Sequence, residues 1–405
     1  MRAAETPGVD RERALETLRR MVRFDSRTET PQESSVVDWL LGELAGIGLR
    51  VHRQPVGPGR YNAIGVWPGS GSGTSLMFNG HVDTNPLTEG WTVDPWGGLV
   101  DETFVYGLGV SNMKAGCASY LEAVRALAGA GLRPRGDVLL TFVVGELQGG
   151  VGTRRLIEDG WRADCFVNCE PTDLTALTAH AGALTFEVEL HGSTRHMSKR
   201  EEAADALAAA ADLVPALNAL TFAGAATAEA HRVNRTHVGV VRSGLGSDLL
   251  GTRPPQVADV ARLAGSARYG QGQTPDTVLA ELTTEVERVC LRHPGVRAAV
   301  ARTDGAGPTM DQPFFVDPEE PVVTAVNAAY RAVRGEAQLT GAIRPYCFYG
   351  SDASLLQHAA GMPGLVCGPG GKYNTMPDER VEISDYLDMA RVHQLTIDRI
   401  CGLAG

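Results

Sequence analysis

The apolar positions of the chain fall into two textures. In the first, Leu15, Leu18, Met21 and Val22 recur at helical spacing between Arg11 and Phe24, and Lys114–Ala130 is a run rich in alanine and leucine; both predict helices. Tyr61–Trp67, Ser75–Phe78, the unbroken apolar stretch Val138–Val144 and Cys165–Val167 read as strands, with a further helix near Thr153–Glu158. A strand covered on both faces has no polar side to present, so continuous apolar strands alternating with helices predict an α/β layer with a buried, mostly parallel sheet.

The second texture begins near Leu184. Leu184–Leu190 alternates apolar and polar positions as a half-buried strand does, and Ala203–Leu220 follows as an alanine- and leucine-rich helix. His237–Val241, Val257–Ala267 and Val296–Val300 predict three more strands, with a helix over Pro275–His293. Two helices on one face of four strands make an α+β sandwich. From Pro318 the first texture returns, with a helix over Val322–Arg334 and an apolar strand at Gly364–Cys367. The expected fold is an open, mostly parallel α/β sheet with helices on both faces, interrupted by an inserted α+β lid domain. The boundaries read as 1–181, 182–304 and 305–405.

Composition narrows the class. The chain has 405 residues, 43% hydrophobic and 21% charged, with a formal net charge of −11. That balance excludes a disordered chain and a basic surface for nucleic acid or anionic lipid. No apolar run approaches the ~18 residues of a membrane span, and the first 24 residues lack the apolar core of a signal peptide. Seven cysteines, an odd number without a CxxC pair, predict reduced thiols and a cytoplasmic protein.

Chemistry-bearing residues gather at the ends of the strand-like runs. Phe78-Asn79-Gly80-His81-Val82-Asp83 comes first. An imidazole and a carboxylate two apart at a strand's carboxyl end face the crevice where α/β enzymes bind ligands. Downstream lie the glycine-rich stretch Tyr106–Gly116 with Asn112, then Val144-Gly145-Glu146-Leu147-Gln148-Gly149-Gly150, then Asn168-Cys169-Glu170-Pro171-Thr172. His191–Ser198, Tyr349-Gly350-Ser351-Asp352-Ala353, Cys367-Gly368-Pro369-Gly370 and Met376-Pro377-Asp378-Glu379 complete the set.

In that order and at those spacings, the chain resembles the dizinc family of aminoacylases, acetylornithine deacetylase, succinyl-diaminopimelate desuccinylase and glutamate carboxypeptidase. The resemblance covers essentially the whole chain, inserted lid included, and implies roles one residue at a time. His81 matches the histidine that binds one zinc, and Asp83 the aspartate that orients it. Glu146 matches the general base, and Glu170 a ligand of the His81-type zinc. His196 matches the lid histidine that stabilises the oxyanion in a second subunit's site, and Arg268 the lid arginine that holds a substrate carboxylate. Gly368 matches the backbone lining the pocket, where Asn112 also falls.

Three positions depart from the family. The bridging aspartate is replaced by Asn112, the ligand after the base by Leu147, and the last histidine, four residues before Glu379, by Thr375. Zinc takes thiolate, imidazole or carboxylate donors, usually four. Leucine offers none and an amide brings no charge. The dizinc centre is therefore not expected, and the cofactor reading is none or at most one zinc on the remnant pair His81 and Glu170. The lid's Asn-x-x-Pro also departs, reading Leu250-Gly251-Thr252-Arg253-Pro254.

The resulting expectation is an enzyme with atypical, metal-independent acid–base chemistry, without the dizinc centre, acting on the acyl or amide group of a small N-acyl amino acid or peptide-like carboxylate. Glu146 is its general base, and acyl transfer, cyclisation or proton abstraction stand beside hydrolysis. A mononuclear-zinc amidohydrolase or carboxypeptidase, and a non-catalytic binding protein on the same scaffold, are the alternatives. Structural readings also stand: His81–Asp83 as a hydrogen-bonded pair, His196 as a turn residue, Arg268 as a surface strand residue and Glu146 as a relic. The resemblance further implies a homodimer formed through the lid and a small-molecule substrate, with neither nucleic acid nor membrane as partner.

Overall fold

A computed structural model describes residues 6–249, 254–303 and 310–404; the departure read at Leu250–Arg253 lies outside them. Two compact units divide the chain. The first is Met1–Thr178 with Phe315–Tyr346 and Ser351–Gly405, and the second is Ala179–Phe314 with Cys347–Gly350.

In the first unit, α1 (Arg11–Val22) is capped by Asp10, whose carboxylate accepts the Arg13 N–H at 3.1 Å, and it buries Leu15, Leu18, Met21 and Val22. α2 (Val37–Gly46) precedes a hairpin of β1 (Arg50–Gly57) and β2 (Arg60–Trp67). The hairpin turns at Pro58-Gly59, a tight two-residue loop that joins antiparallel neighbours. β3 (Leu76–His81), α3 (Ala115–Gly129), β4 (Val138–Val143), α4 (Val151–Glu158) and β5 (Cys165–Asn168) follow. Every residue of β3, β4 and β5 is buried, as the unbroken apolar runs require.

The second unit contains β6 (Gly182–His191), α5 (Ala206–Asn218), β7 (Arg235–Gly244), β8 (Val260–Tyr269), α6 (Pro275–Cys290) and β9 (Arg297–Arg302). Its antiparallel sheet runs in the order β7-β8-β6-β9. Leu184, Phe186, Val188 and Leu190 point from one face of β6 into a core with Ala209 and Leu213 of α5 and Leu282 and Val286 of α6. The alternating residues Thr185 and Glu187 face outward.

The chain then returns to the first unit with α7 (Pro321–Arg334), α8 (Asp352–His358), β10 (Gly364–Val366) and α9 (Ile383–Cys401). The first unit's sheet runs β1-β2-β4-β3-β5-β10, continued by the two-residue strands Ala176–Leu177 and Thr340–Gly341. β4, β3, β5 and β10 are mutually parallel, while the β1–β2 hairpin pairs antiparallel with β4. The sheet is therefore mixed, with a parallel centre as expected. In the parallel centre the carboxyl ends of β3, β4 and β5 lie side by side, which is where ligand sites form in such sheets.

Candidate active site

Three side chains meet at those strand ends. His81 is the last residue of β3, Glu170 lies two residues beyond β5, and Glu146 opens a tight 3-10 turn just after β4. One ligand atom from each lies within 4.8 Å of the other two, and among the described residues this is the one His/Cys/Asp/Glu cluster that could hold a metal ion. His81 Nε2 is 3.5 Å from Glu170 Oε1 and 4.0 Å from Glu146 Oε2. The remnant site is thus a triad rather than the pair His81 and Glu170. Glu146 sits within reach because its turn is bounded by Gly145, Gly149 and Gly150, all in the left-handed region that favours glycine.

Asp83 ties the pieces together. Its carboxylate accepts the backbone N–H of Glu146 and of Leu147, both at 3.2 Å, and lies 3.5 Å from His81 Nδ1. His81 Nδ1 also lies 2.8 Å from the Asp83 carbonyl, so Nδ1–H donates there and Nε2 faces the two glutamates. Burial disfavours a charged His81, but Glu170 and Asp83 outweigh it and hold the imidazole well above its ordinary pKa. Burial, reinforced by Glu170, raises the Glu146 carboxyl well above the usual range. His81 Nε2 also lies 3.2 Å from Asn112 Oδ1.

The close packing explains two motif glycines. A Cβ on Gly116 would sit 2.2 Å from the Cys169 carbonyl oxygen, and one on Gly368 would sit 2.3 Å from the same atom. The segment carrying Glu170 is therefore clamped between two backbones that approach closely only without side chains. Cys169 itself is buried with its sulfur 3.8 Å from His393 Nε2, away from the triad's donors.

The departed positions behave differently. Leu147 is half-buried beside Glu146, Asn112 is half-buried, and Thr375 is exposed at φ 57°. A zinc ion fits the first group on the chemistry of its donors: one imidazole, two carboxylates, and a buried Glu170 Oε1 that, beyond its 3.5 Å approach to His81 Nε2, has no hydrogen-bond partner among the described residues. The second group offers an amide, an alkyl chain and a hydroxyl, which is not a zinc donor set.

Two carboxylates quoted in the motifs have functions that spacing did not show. Asp352, in the first turn of α8, is fully buried; its Oδ2 accepts the Thr153 hydroxyl at 2.8 Å and its Oδ1 has no hydrogen-bond partner among the described residues. Burial pushes its carboxyl up to about 7. The chain of contacts continues from Thr153 to Asn79 Nδ2 at 3.2 Å, and from Asn79 Oδ1 to Asn168 Nδ2 at 2.9 Å. Asn79 and Asn168 stand two residues before His81 and Glu170, so this polar ladder runs one step deeper on the site's own face of the sheet. Glu379 accepts backbone N–H groups from Gly109, Ser111 and Asn112 at 2.9–3.1 Å and anchors the loop that presents Asn112. An acidic residue leading a helix, as Asp352 does after Ser351, was the available signal; nothing local marks its burial.

The inserted unit holds the remaining expected residues. His196 is exposed, with Nδ1 accepting the Ser198 N–H at 3.2 Å and Nε2 unpartnered among the described residues. Arg268 donates from Nε to the Phe348 carbonyl at 3.0 Å and from Nη1 to Ser266 Oγ at 2.6 Å.

An open α/β sheet with a buried His–Glu–Glu cluster at its parallel strand ends defines a metallopeptidase-type scaffold. Residues 77–399 match peptidase family M20/M25/M40, and the chain belongs to that family. Among solved structures, the aminopeptidase PepT of Bacillus cereus superposes with a TM-score of 0.76 at 19% identity, covering 97% of this chain and 99% of that one. Human carnosine dipeptidase 1 also gives 0.76, at 14% identity over 96% of each chain. At such identities the likeness speaks for the fold. Among curated relatives, N-formyl-4-amino-5-aminomethyl-2-methylpyrimidine deformylase of Bacillus subtilis is 25% identical over 383 residues, 88% of this chain and 87% of the relative. Acetylornithine deacetylase of Salmonella arizonae is 34% identical over 168 residues, and that match spans only 43% of its length. The chain is a peptidase and amidohydrolase homologue with an atypical site, and among the described residues it has one metal-ligand cluster, consistent with at most one zinc.

Proposed function

We propose that this chain hydrolyses the amide of a small N-acyl compound, with Glu146 as general base at a site for one metal ion. The observation that carries the reading is Glu146 itself: a buried carboxylate with raised proton affinity, held by Asp83 4.0 Å from His81 Nε2. A general base works best when its pKa lies near the operating pH, and burial moves Glu146 in that direction. The curated relatives are named for removing a formyl or an acetyl group, which supports a short acyl group on an amine as the substrate class.

Glu146 takes a proton from the water that attacks the carbonyl and returns it to the leaving amine. His81, Glu170 and one carboxylate oxygen of Glu146 would hold the ion, the other Glu146 oxygen being left to take the proton, and when bound the ion supplies positive charge that polarises the carbonyl and acidifies water. Asp83 keeps His81 and the Glu146 turn in register. Arg268 anchors a substrate carboxylate, while Asn112 and the Gly368 backbone line the pocket. His196 serves as oxyanion donor to a second copy, with its unpartnered Nε2 as the donor atom.

The inserted domain (182–304) is proposed as the dimerisation element. β7 is an edge strand exposing Val240 (45%) and Val241 (43%), and Leu207 of α5 is 51% exposed, an apolar edge suited to a second copy. Sedimentation at micromolar concentration should show a dimer; only 43.0 kDa monomer would remove the role given to His196. A cytoplasmic setting agrees with seven free cysteines.

A panel of N-formyl, N-acetyl and N-succinyl amines tests the reaction. Glu146→Gln should lower turnover about 10²–10⁴-fold, and wild-type turnover in that variant would end the general-base reading. A second reading, acid–base chemistry with no ion, is favoured by the raised pKa of His81, whose imidazolium would supply the positive charge. Turnover that survives exhaustive chelation selects it.

A further inference from the structure

We infer that Arg235 and Arg268 form a site for a group carrying two negative charges on the outward face of the inserted sheet. The inference rests on the anchoring role proposed for Arg268 and enlarges it.

The register brings the two residues together. Arg235 of β7 pairs directly with Arg268 of β8, and Ala183 of β6 completes that row. Direct cross-strand partners project to the same face, and like charges placed so repel. Both guanidinium groups converge on Phe348. The Arg235 group lies 4.7 Å from the centre of its ring, and Arg268 Nε donates to its carbonyl at 3.0 Å.

Among the described residues no acid answers either charge. The neighbouring row on this face is His237, Ser266 and Thr185, and the first carboxylate, Glu187, stands a row further, opposite Ala264. Among the described residues neither arginine has a carboxylate partner. The same sheet shows what a matched arginine looks like: Arg262, on the same face of β8, donates from Nε and Nη2 to Glu189 at 3.0 and 2.9 Å. Arg268 is half-buried, so a guanidinium without a counterion is costly there. It spends two of its five N–H groups on Phe348 and Ser266 and keeps the rest for a ligand. A carboxylate would satisfy Arg268 alone. Two guanidinium groups side by side prefer a dianion, as a dicarboxylate end or a phosphoryl group provides.

Calorimetric titration of the full chain with acetate, succinate and inorganic phosphate at equal ionic strength tests this. Succinate or phosphate should bind wild type about tenfold more tightly than acetate. Arg235→Gln, at an exposed position, should bring the dianion down to the acetate level and leave acetate unchanged. Arg268→Gln should weaken all three, and Arg262→Gln none. Preference for succinate assigns a dicarboxylate, and preference for phosphate a phosphoryl group. Equal binding of the three anions to wild type, or a dianion preference that survives Arg235→Gln, overturns the inference while leaving the anchor intact. Unchanged acetate binding in Arg268→Gln overturns the anchor as well.

Discussion

The two halves of the candidate metal site are built differently. His81 ends a central parallel strand and Glu170 lies two residues past another, with Asn79 and Asn168 linked in the layer beneath them. Asn112, Leu147 and Thr375 sit on an irregular helical turn, a 3-10 turn and an exposed loop. Replacing a donor in the first half leaves buried charges without partners, a cost of several kcal/mol. Replacing one in the second half costs little, because loops accept substitution without disturbing the core. The half held by the central strands has kept its chemistry, and on the turns only Glu146, whose backbone is tied to Asp83, has kept a donor.

Rebuilding the second half should have the largest effect. The triple variant Asn112→Asp, Leu147→Glu, Thr375→His places carboxylate and imidazole donors at all three departed positions. It should bind one more ion per protomer than wild type in equilibrium dialysis with zinc. Unchanged stoichiometry would mean that the turns no longer bring those positions within ligand reach. Next comes the support of the retained half: Asp83→Asn should weaken metal binding about 10–100-fold, as loss of a histidine's orienting carboxylate does. An unchanged affinity would show that Asp83 serves only the backbone of the Glu146 turn.

The ladder beneath the site should show itself in pH dependence. Burial raises the Asp352 carboxyl from 3.8 to about 7, so the folded protein holds that proton more tightly than the unfolded chain. Its contribution to stability is complete below about pH 4 and lost as pH rises through about 7. An asparagine side chain in its place does not titrate. In chelator-treated protein, Asp352→Asn should therefore gain on wild type between about pH 4 and pH 8 by on the order of a few kcal/mol in urea unfolding. Equal differences at the two pH values would refute it. Leu147→Ala, in the departed half, should cost only about 1 kcal/mol at its half-buried position.

Much of this was legible in the chain. The buried strands announce themselves as apolar runs, and the inserted sheet as alternation. β1 and α2 went unread because β1 is mostly exposed and α2 buries only Val37, Leu40 and Leu44. At the site, His81, Glu146 and Glu170 are marked in the sequence and meet in the structure, but the connections around them did not show. Asp352 meets Thr153 across 199 residues and Glu379 meets Gly109 across 270, distances at which local pattern carries no signal. Glu146 read as a base alone; only the geometry of its glycine-bounded turn makes it also a third donor. Arg235 lies ahead of the strand read at His237–Val241, and only the register sets it against Arg268.

Metal content per protomer tests the central claim most directly, measured by elemental mass spectrometry on protein purified without chelator and dialysed against zinc. One ion is expected in wild type, lost in His81→Ala and in Glu170→Gln. Two ions, none, or one ion that persists in both variants would contradict a single site built on His81, Glu146 and Glu170.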